Sequence, residues 1–153
     1  MKNFFNGFLI LSFCIAILLS GCADSVYADT VIKPDSVVKV HDGDTFSVNI
    51  AGCPAVLCQH VPVRISGIDA PEMNGKCAQE IAGAVVAQKY LSDQVMNAKD
   101  IALHDPTRDK YFRISAHLIA DGVDVGADMV AKGLVRAYSG GKRAGWCNTI
   151  NTV

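Results

Sequence analysis

Two acidic residues flank a glycine in residues 42–45, which read Asp-Gly-Asp-Thr. Carboxylates in such a pair can do chemistry when the fold gives them partners. A tight turn between two strands explains the same four residues without any function, because Asp-Gly is common in hairpin turns. Taken alone, residues 42–45 therefore favour the structural interpretation over the functional one.

A second group of charged residues lies in residues 63–72, which read Val-Arg-Ile-Ser-Gly-Ile-Asp-Ala-Pro-Glu. Arg64 alternates with apolar neighbours along a predicted strand, so it is predicted to point to the face opposite theirs. Asp69 and Glu72 follow at the end of this strand, on either side of Pro71. Surface ion pairs contribute only about 0–1 kcal/mol. Stability alone therefore gives little reason for a proline-fixed acidic corner beside an arginine.

A third group lies in residues 109–113, which read Asp-Lys-Tyr-Phe-Arg at the entry of another predicted strand. The guanidinium of Arg113 presents a rigid fork of donors that suits a phosphate. Tyr111 offers a ring face for a base or a hydroxyl for a phosphate. The structural alternative is a charged entrance to a hairpin.

The elements that position these three groups follow from the hydrophobic pattern. Alternation at period two, typical of half-buried strands, predicts strands near residues 45–50, 61–68 and 112–119. Two further strands are predicted near residues 37–40 and 100–104. A long helix is predicted over residues 77–96, with one apolar face formed by Ala84, Ala87, Leu91 and Val95.

A short second helix is predicted after the fifth strand, with Asp124 at its start and Gly133 just past its end. The element order is then β-β-β-α-β-β-α. This order is typical of a mainly β, α+β fold: a five-stranded Greek-key barrel of the OB type. The long helix follows strand 3 and the short helix follows strand 5.

Length and composition exclude several classes of protein. A chain of 153 residues is expected to form one domain, and its composition excludes a polytopic membrane protein and a disordered chain. Lys and Arg total 14 against 15 Asp and Glu, so there is no bulk positive charge for binding nucleic acid. The last third of the chain holds several basic residues, for which charge alone favours a solvated surface: Arg108, Lys110, Arg113, Lys132, Arg136, Lys142 and Arg143.

An apolar run over residues 4–19 follows a single lysine at the start of the chain. It is shorter than the roughly 20 residues that span a membrane comfortably, and the pattern is typical of a secretory signal. Residues 1–21 are therefore predicted to be a signal peptide. Leu-Ser-Gly-Cys at residues 19–22 resembles a bacterial lipobox, which would make Cys22 the lipidated first residue. Cleavage after Ala28 is the alternative.

Both alternatives take the protein out of the cytoplasm. In the first it is a membrane-anchored lipoprotein that faces the periplasm or the cell exterior, and in the second it is secreted and soluble. Residues 22–35 are predicted to be a polar tether, and residues 36–153 to be the compact domain, which we expect to be a monomer.

Four of the six cysteines, Cys53, Cys58, Cys77 and Cys147, lie in the predicted domain. In an exported chain an even number implies disulfides, although four cysteines allow three connectivities and free thiols remain a rarer alternative. The loop from Cys53 to Cys58 can bring two Cα atoms to about 5.5–6 Å, as a disulfide requires. We therefore predict Cys53–Cys58 and Cys77–Cys147, the second tying the chain end to the long helix. No ligand spacing supports a zinc site.

Taken together, the three charged groups resemble the staphylococcal-nuclease-like, or thermonuclease, family. The resemblance covers about residues 36–147, and four segments carry it: Asp-Gly-Asp-Thr at 42–45, residues 63–72, residues 109–113 and Gly-Leu-Val-Arg-Ala-Tyr at 133–138. The fold of that family, an OB barrel with helices, agrees with the hydrophobic pattern. The resemblance implies a calcium-dependent phosphodiesterase that hydrolyses DNA or RNA and leaves 3′-phosphate ends.

The resemblance also implies roles for individual residues. The implied calcium ligands are Asp44, Asp69 and the main-chain carbonyl of Ala70. The implied phosphate-handling residues are Arg64, Glu72 and Arg113, of which Glu72 activates or positions the attacking water. The implied nucleotide-pocket residues are Lys110, Tyr111 and Tyr138.

Two departures from the family pattern bear on these expectations. The family prototype has glycine where this chain has Phe112, which could reshape the nucleotide pocket. The prototype also has a longer C-terminal helix than residues 139–153 can supply. The main alternative function is an envelope lipoprotein whose OB fold binds nucleic acid without catalysis. A structural envelope lipoprotein that contacts no nucleic acid is a further alternative.

Overall fold

The structure, a computed structural model of the chain, describes residues 30–147. The predicted signal peptide over residues 1–21 and the predicted lipidation residue Cys22 lie outside them. The strands are β1 (Val31–Ile32), β2 (Ser36–Val40), β3 (Thr45–Asn49), β4 (Val61–Ile65), β5 (Ile68–Asp69), β6 (Ile101–Arg108), β7 (Ile114–Ala120), β8 (Val123–Asp124) and β9 (Arg136–Ala137). The helices are α1 (Ala55–Cys58), α2 (Ala78–Asn97) and α3 (Val125–Ala131).

One sheet organises the domain, with strand order β1-β6-β7-β4-β3-β2 and β8 added to β7, while β5 and β9 form a separate pair. Strands β2, β3 and β4 are consecutive antiparallel neighbours, and β4 then pairs with β7 in parallel. The register sets Arg64 between Thr45 on β3 and Ser115 on β7. Arg64 on β4 is thereby flanked by β3 and β7, the two strands that begin at the end of the other two charged segments.

Helix α2 packs on the sheet with the face that its sequence predicts. Ala84, Ala87, Leu91 and Val95 are all buried, and they join one core with the apolar residues of the strands. Gly43 lies where this helix meets the turn between β2 and β3. A Cβ on Gly43 would lie 2.7 Å from the Cβ of Ala87 and 2.9 Å from that of Ala70. Only glycine allows this approach, which presses the 42–45 turn against the acidic corner.

The mixed α+β fold that the sequence predicts is confirmed, and its five predicted strands correspond to β2, β3, β4, β6 and β7. The predicted third strand, 61–68, is divided because Gly67 turns the chain with φ of +78° between β4 and β5. The predicted fifth strand, 112–119, starts later, at Ile114. Asp124 caps α3 as predicted, since its side chain accepts a hydrogen bond from the amide of Ala127 at 2.9 Å.

Short elements account for the remaining differences. Strands β1, β5, β8 and β9 have two residues each and α1 has four, too few to show a hydrophobic period. Strand β1 pairs with β6, so the sheet begins before Ser36, where the sequence placed the start of the domain. The last residues of the predicted tether, 22–35, therefore belong to the fold.

Both predicted disulfides are present. Cys53–Cys58 closes the loop that contains α1, with a Cα–Cα distance of 6.1 Å. Cys77–Cys147 joins the residue that precedes α2 to the end of the described chain, with a Cα–Cα distance of 6.0 Å. Within residues 30–147, no helix combines the length and apolar character needed to cross a bilayer.

Candidate active site

Asp44 lies at the end of the β2–β3 turn, and its carboxylate is fixed from several sides. Its backbone amide donates to the side chain of Asp42 at 2.9 Å, which shapes the turn. Oδ1 accepts hydrogen bonds from Arg64 at 2.5 Å and from the hydroxyl of Thr45 at 2.9 Å. Oδ2 accepts from the amide of Ala70 at 3.1 Å. One carboxylate thus connects the turn, strand β4 and the acidic corner.

The environment of Asp44 opposes its ionised form. Burial raises the pKa of Asp44 from 3.8 to about 6, the charge of Arg64 works against this increase, and the nearby Asp42 adds to it. Asp44 is only 3% exposed, and the ion pair with Arg64 does not fully offset the cost of burying its negative charge. A further positive charge placed beside this carboxylate would favour its ionised form.

Arg64 confirms the orientation that the alternation of β4 predicts. Its neighbours Val63 and Ile65 are buried in the core, whereas Arg64 points to the opposite face and lines a cleft at the surface of the domain. Besides its ion pair with Asp44, its guanidinium donates to the carbonyl oxygen of Ile68 at 3.3 Å. The guanidinium is therefore held on two sides.

The acidic corner that follows β4 is formed by residues 68–72. Asp69 pairs with Arg136 across the β5–β9 ladder and is only 4% exposed. Its Oδ1 atom lies 3.1 Å from Nε of Arg143, but it accepts no well-directed hydrogen bond from any described residue. Glu72, by contrast, extends toward solvent, and its Oε1 accepts a hydrogen bond from Arg143 Nη1 at 2.8 Å.

Residues 109–113 form a tight turn between β6 and β7 that is organised by Asp109. The side chain of Asp109 accepts from the amides of Tyr111 and Arg113 at 2.8 and 3.0 Å, and from Arg113 Nε at 2.7 Å. Burial alone raises the pKa of Asp109, but the hydrogen bonds from Arg113 and Tyr111 outweigh it and hold this pKa below its ordinary value. The guanidinium of Arg113 is thus locked at the entry of β7.

These segments converge on one cleft of about 600 Å³. Most of the sequence-predicted residues line it: Asp44, Arg64, Ala70, Glu72, Lys110, Tyr111, Arg113 and Tyr138. Asp69 is buried at its margin and contacts the cleft through Arg143. The segments come from distant parts of the chain, so the fold, rather than sequence proximity, brings them together.

Phe112, the departure from the family prototype, does not line the cleft. Its side chain is 74% exposed, and its ring lies against Arg108, 5.5 Å from the guanidinium carbon. The backbone at Phe112 has φ of +64°, in the left-handed region that favours glycine. This conformation explains why a glycine suits the position.

Sequence reasoning missed the segment that closes the cleft. The tail, residues 138–147, forms no helix or strand, yet it carries Gly141 and Arg143 into the cleft wall. Arg143 contacts both Asp69 and Glu72. Burial alone lowers the pKa of Arg143, but the carboxylates of Asp69, Glu72 and Asp44 together outweigh it and raise this pKa above its ordinary value. The only available signal was a basic pair close to a predicted disulfide cysteine.

The donor chemistry of this cleft fits a hard divalent cation. Asp44 and Asp69 are buried carboxylates, and Asp69 Oδ1 lacks a hydrogen-bond donor among the described residues. The ligand atoms of Asp44, Asp69 and Glu72 do not all lie within 4.8 Å of one another. The one cluster that meets this distance within residues 30–147 is Cys77, Glu80 and Cys147, whose thiols are consumed by the disulfide.

Comparison with known families places most of this site inside one match. The family described as Staphylococcal nuclease homologue matches residues 62–146, more than half of the 153 residues. The matched range contains the acidic corner, the 109–113 turn and nearly all of the tail, while Asp44 precedes it. No curated protein matches the chain.

Proposed function

We propose that this chain, which belongs to the Staphylococcal nuclease homologue family, is a calcium-dependent phosphodiesterase that cleaves DNA or RNA internally. The observation that carries the proposal is the convergence of Arg64, Arg113 and Glu72 on one cleft beside Asp44. These three residues come from distant segments of the chain, and the structural contacts of the two arginines leave both of them lining the open cleft, where a phosphate can reach them.

The two arginines meet the main difficulty of phosphodiester hydrolysis, which is the negative charge of the phosphate. In-line attack by water concentrates further charge on the non-bridging oxygens. Guanidinium donors already oriented toward those oxygens stabilise this charge without reorganising in the transition state. Arg64 and Arg113 are each held by a carboxylate, Asp44 and Asp109, so their forks are preorganised at the cleft surface.

Glu72 is assigned as the group that accepts a proton from the attacking water. Its oxygens are accessible, and a general base must lie within hydrogen-bond reach of the proton that it removes. Water oxygen bonds to phosphorus as the bond from phosphorus to the 5′ oxygen breaks. The 5′ oxygen takes up a proton from solvent water and leaves as a hydroxyl, the phosphate stays on the 3′ side, and Glu72 returns its proton to solvent.

Asp44, Asp69 and the carbonyl of Ala70 would hold the calcium ion. When bound, this ion polarises a phosphate oxygen and adds positive charge beside the scissile bond. Asp44 would gain most from it, because its burial already disfavours the ionised form. Oxygen donors of this type are those that calcium prefers.

Lys110, Tyr111 and Tyr138 would contact the nucleotide that flanks the scissile phosphate. Tyr111 is 66% exposed and carries Lys110 and Arg113 near its ring, at 5.0 and 5.4 Å from the centroid. An exposed ring between two cations can stack a base and attract its phosphate. Such contacts do not depend on base identity, which suits cleavage of DNA or RNA at many sequences.

Export is part of the same proposal. A signal peptide over residues 1–21 and lipidation of Cys22 would place a monomeric enzyme on a membrane that faces the periplasm or the exterior. Cleavage after Ala28 would release it as a soluble protein. Radiolabelled fatty acid incorporated into the wild-type chain, and absent from Cys22→Ser, would distinguish the two.

A plasmid-degradation gel with calcium and with chelator tests the enzymatic proposal. We expect cleavage with calcium and none with chelator, and 3′-phosphate ends that resist polymerase extension until a phosphatase removes them. Retarded but intact DNA would instead support a non-catalytic binding protein. If DNA and RNA are neither cut nor retarded, the structural alternative is favoured.

Glu72→Gln tests the assigned base in the same gel. We expect cleavage to fall by about 10²–10⁴-fold with an unchanged melting temperature, because Glu72 is exposed and belongs to no core contact. Asp93→Asn is the matched control, since it removes one exposed carboxylate that pairs with Lys89 on α2. Near-normal cleavage by folded Glu72→Gln would refute the role.

A further inference from the structure

We propose that the tail is a covalently anchored wall of the active site and that Arg143 is the positioning residue through which it acts. Arg143 orients Glu72, and the Cys77–Cys147 disulfide keeps Arg143 within reach. This inference rests on the proposed phosphodiesterase function. It adds a residue, and a dependence on the oxidised state, that neither the family match nor the sequence motifs supply.

Glu72 depends on Arg143 for its position. The contact from Arg143 Nη1, at 2.8 Å, is the one hydrogen bond to the Glu72 side chain among the described residues. The Glu72 side chain is otherwise 57% exposed and free to sample several rotamers. A base that wanders from its productive geometry loses much of its effect, so the contact with Arg143 limits this freedom.

Arg143 is well suited to this task because two of its nitrogen atoms are engaged separately. Nε lies 3.1 Å from the buried carboxylate of Asp69, and Nη1 contacts Glu72. The guanidinium is planar and rigid, so the ion pair between Nε and Asp69 restricts where Nη1 can lie. A lysine in the same place offers a single ammonium group and cannot copy this arrangement.

Several contacts of Arg136 and Tyr138 hold the tail in place. Arg136, at β9, donates to the carbonyl oxygens of Gly145 and Ala144 at 3.1 and 3.0 Å. Its guanidinium also lies over the ring of Trp146, 3.6 Å from the centroid. The hydroxyl of Tyr138 donates to the carbonyl of Gly141 at 2.7 Å. These contacts fold the tail back over the cleft.

The disulfide is needed because those contacts are weak individually. They lie at the surface, where hydrogen bonds and ion pairs contribute little. Gly140 and Gly141 both have positive φ, of +103° and +90°, so this stretch loses much conformational entropy when it is ordered. Tying Cys147 to Cys77 removes most of the alternative positions of the tail. Reduction should therefore release Arg143 from Glu72.

Six variants of the full-length protein test the inference in parallel, with the wild type treated identically. Arg143→Gln removes the positioning contact, and Lys142→Gln is its matched control, because it removes the same charge one residue earlier and Lys142 does not line the cleft. The double variant Cys77→Ser/Cys147→Ser opens the tail. Its matched control is Cys53→Ser/Cys58→Ser, which removes the disulfide of the α1 loop.

We expect Arg143→Gln to lower kcat by about 10²-fold with a smaller change in KM, since a displacement of about 1 Å costs that much. Arg143→Lys should recover only part of the loss. Lys142→Gln and Cys53→Ser/Cys58→Ser should keep kcat near the wild-type value. Opening the tail should reproduce the Arg143→Gln loss, and adding Arg143→Gln to the open tail should change kcat by less than about twofold, because both changes remove one interaction.

Trp146 provides a readout that does not depend on activity. It is the single tryptophan of the chain and packs on Arg136, so its fluorescence reports whether the tail is seated. We expect a red-shifted emission when the wild type is reduced and in Cys77→Ser/Cys147→Ser. Arg143→Gln in the oxidised protein should keep the wild-type emission, which separates a lost contact from a displaced tail.

Three results would overturn the inference. One is a folded Arg143→Gln protein with wild-type or higher kcat, the latter meaning that Arg143 obstructs the site. Another is full activity in an open-tail variant whose Trp146 emission shows that the tail has left. The third is additive losses in the combined variant. A wild-type protein that cuts no nucleic acid overturns both this inference and the proposed function, whereas the variant series overturns the inference alone.

Discussion

Asp44 should make the calcium-free protein more stable at pH 5 than at pH 7, the opposite of the usual effect of a paired carboxylate. Burial raises the pKa of Asp44 in the folded protein from 3.8 to about 6. Between these two values the folded state binds a proton that the unfolded state does not bind. The free energy of unfolding therefore increases as the pH falls through 6.

The size of the effect follows from the two pKa values. With about 6 in the folded state and 3.8 in the unfolded state, lowering the pH from 7 to 5 adds about 1.3 kcal/mol to the free energy of unfolding. The contribution is already near zero at pH 7, where Asp44 is ionised in both states. Asp44→Asn has no proton to gain, so its stability should lack this component.

Urea denaturation with chelator, at pH 7 and pH 5, measures the effect in wild type and in Asp44→Asn. Every other titrating group is common to the two proteins, so the difference between their pH responses isolates Asp44. We expect the wild type to gain about 1 kcal/mol more than the variant on acidification. Parallel pH responses would refute the burial argument for this carboxylate.

Calcium should cancel this trend, because a ligand carboxylate must be ionised to coordinate it. At pH 7, calcium at 100 times its dissociation constant should stabilise the wild type by about 2.7 kcal/mol. At pH 5, protonation of Asp44 weakens binding about 10-fold, and the same concentration should contribute only about 1.4 kcal/mol. An identical thermal shift with calcium in wild type and Asp44→Ala would count against this site.

Three further predictions concern the backbone, the second disulfide and the phosphate clamp. Phe112→Gly should be about 1 kcal/mol more stable than Phe112→Ala in urea titrations, because only glycine adopts the positive φ of this position without strain. Cys77→Ser/Cys147→Ser should lower the free energy of unfolding by about 2–5 kcal/mol, and an unchanged urea midpoint would show that the tail is held without it. Arg64→Lys should lower kcat/KM by about 10²-fold or more, since lysine lacks the fork that contacts both Asp44 and phosphate; wild-type kinetics would exclude Arg64 from the clamp.

The larger elements of the fold were predictable because each of them is long enough to display its period. Strand β4 shows it clearly: the alternation around Arg64 predicts both the strand and the face on which the arginine lies. Helix α2 likewise buries the four apolar positions that its spacing indicates. Strands β1 and β9 have two residues each, and their existence depends on partners that are distant in sequence.

The same distinction between local pattern and distant contacts applies to the residues of the candidate site. Asp44, Arg64, Glu72 and Arg113 were identified because they lie in compact motifs beside strand ends. Arg143 was not, because its role depends on where a glycine-rich segment without regular structure is held. Local propensity does not set that position; a disulfide across 70 residues and the seat formed by Arg136 do.

The chain has a formal net charge of −1. This would argue against a polyanionic substrate only if the substrate interacted with the summed charge of the whole protein. Screening at physiological salt limits exposed charges to about 8 Å, so a phosphate in the cleft interacts with the groups that line it. Lys110, Arg113 and Arg143 lie there, while Lys132 pairs with Asp128 on α3, which does not line the cleft. The basic residues of the last third therefore do not form one solvated surface, as charge alone had favoured. The fold places three of them in the cleft, and the net charge of the whole chain does not show this local concentration of positive charge.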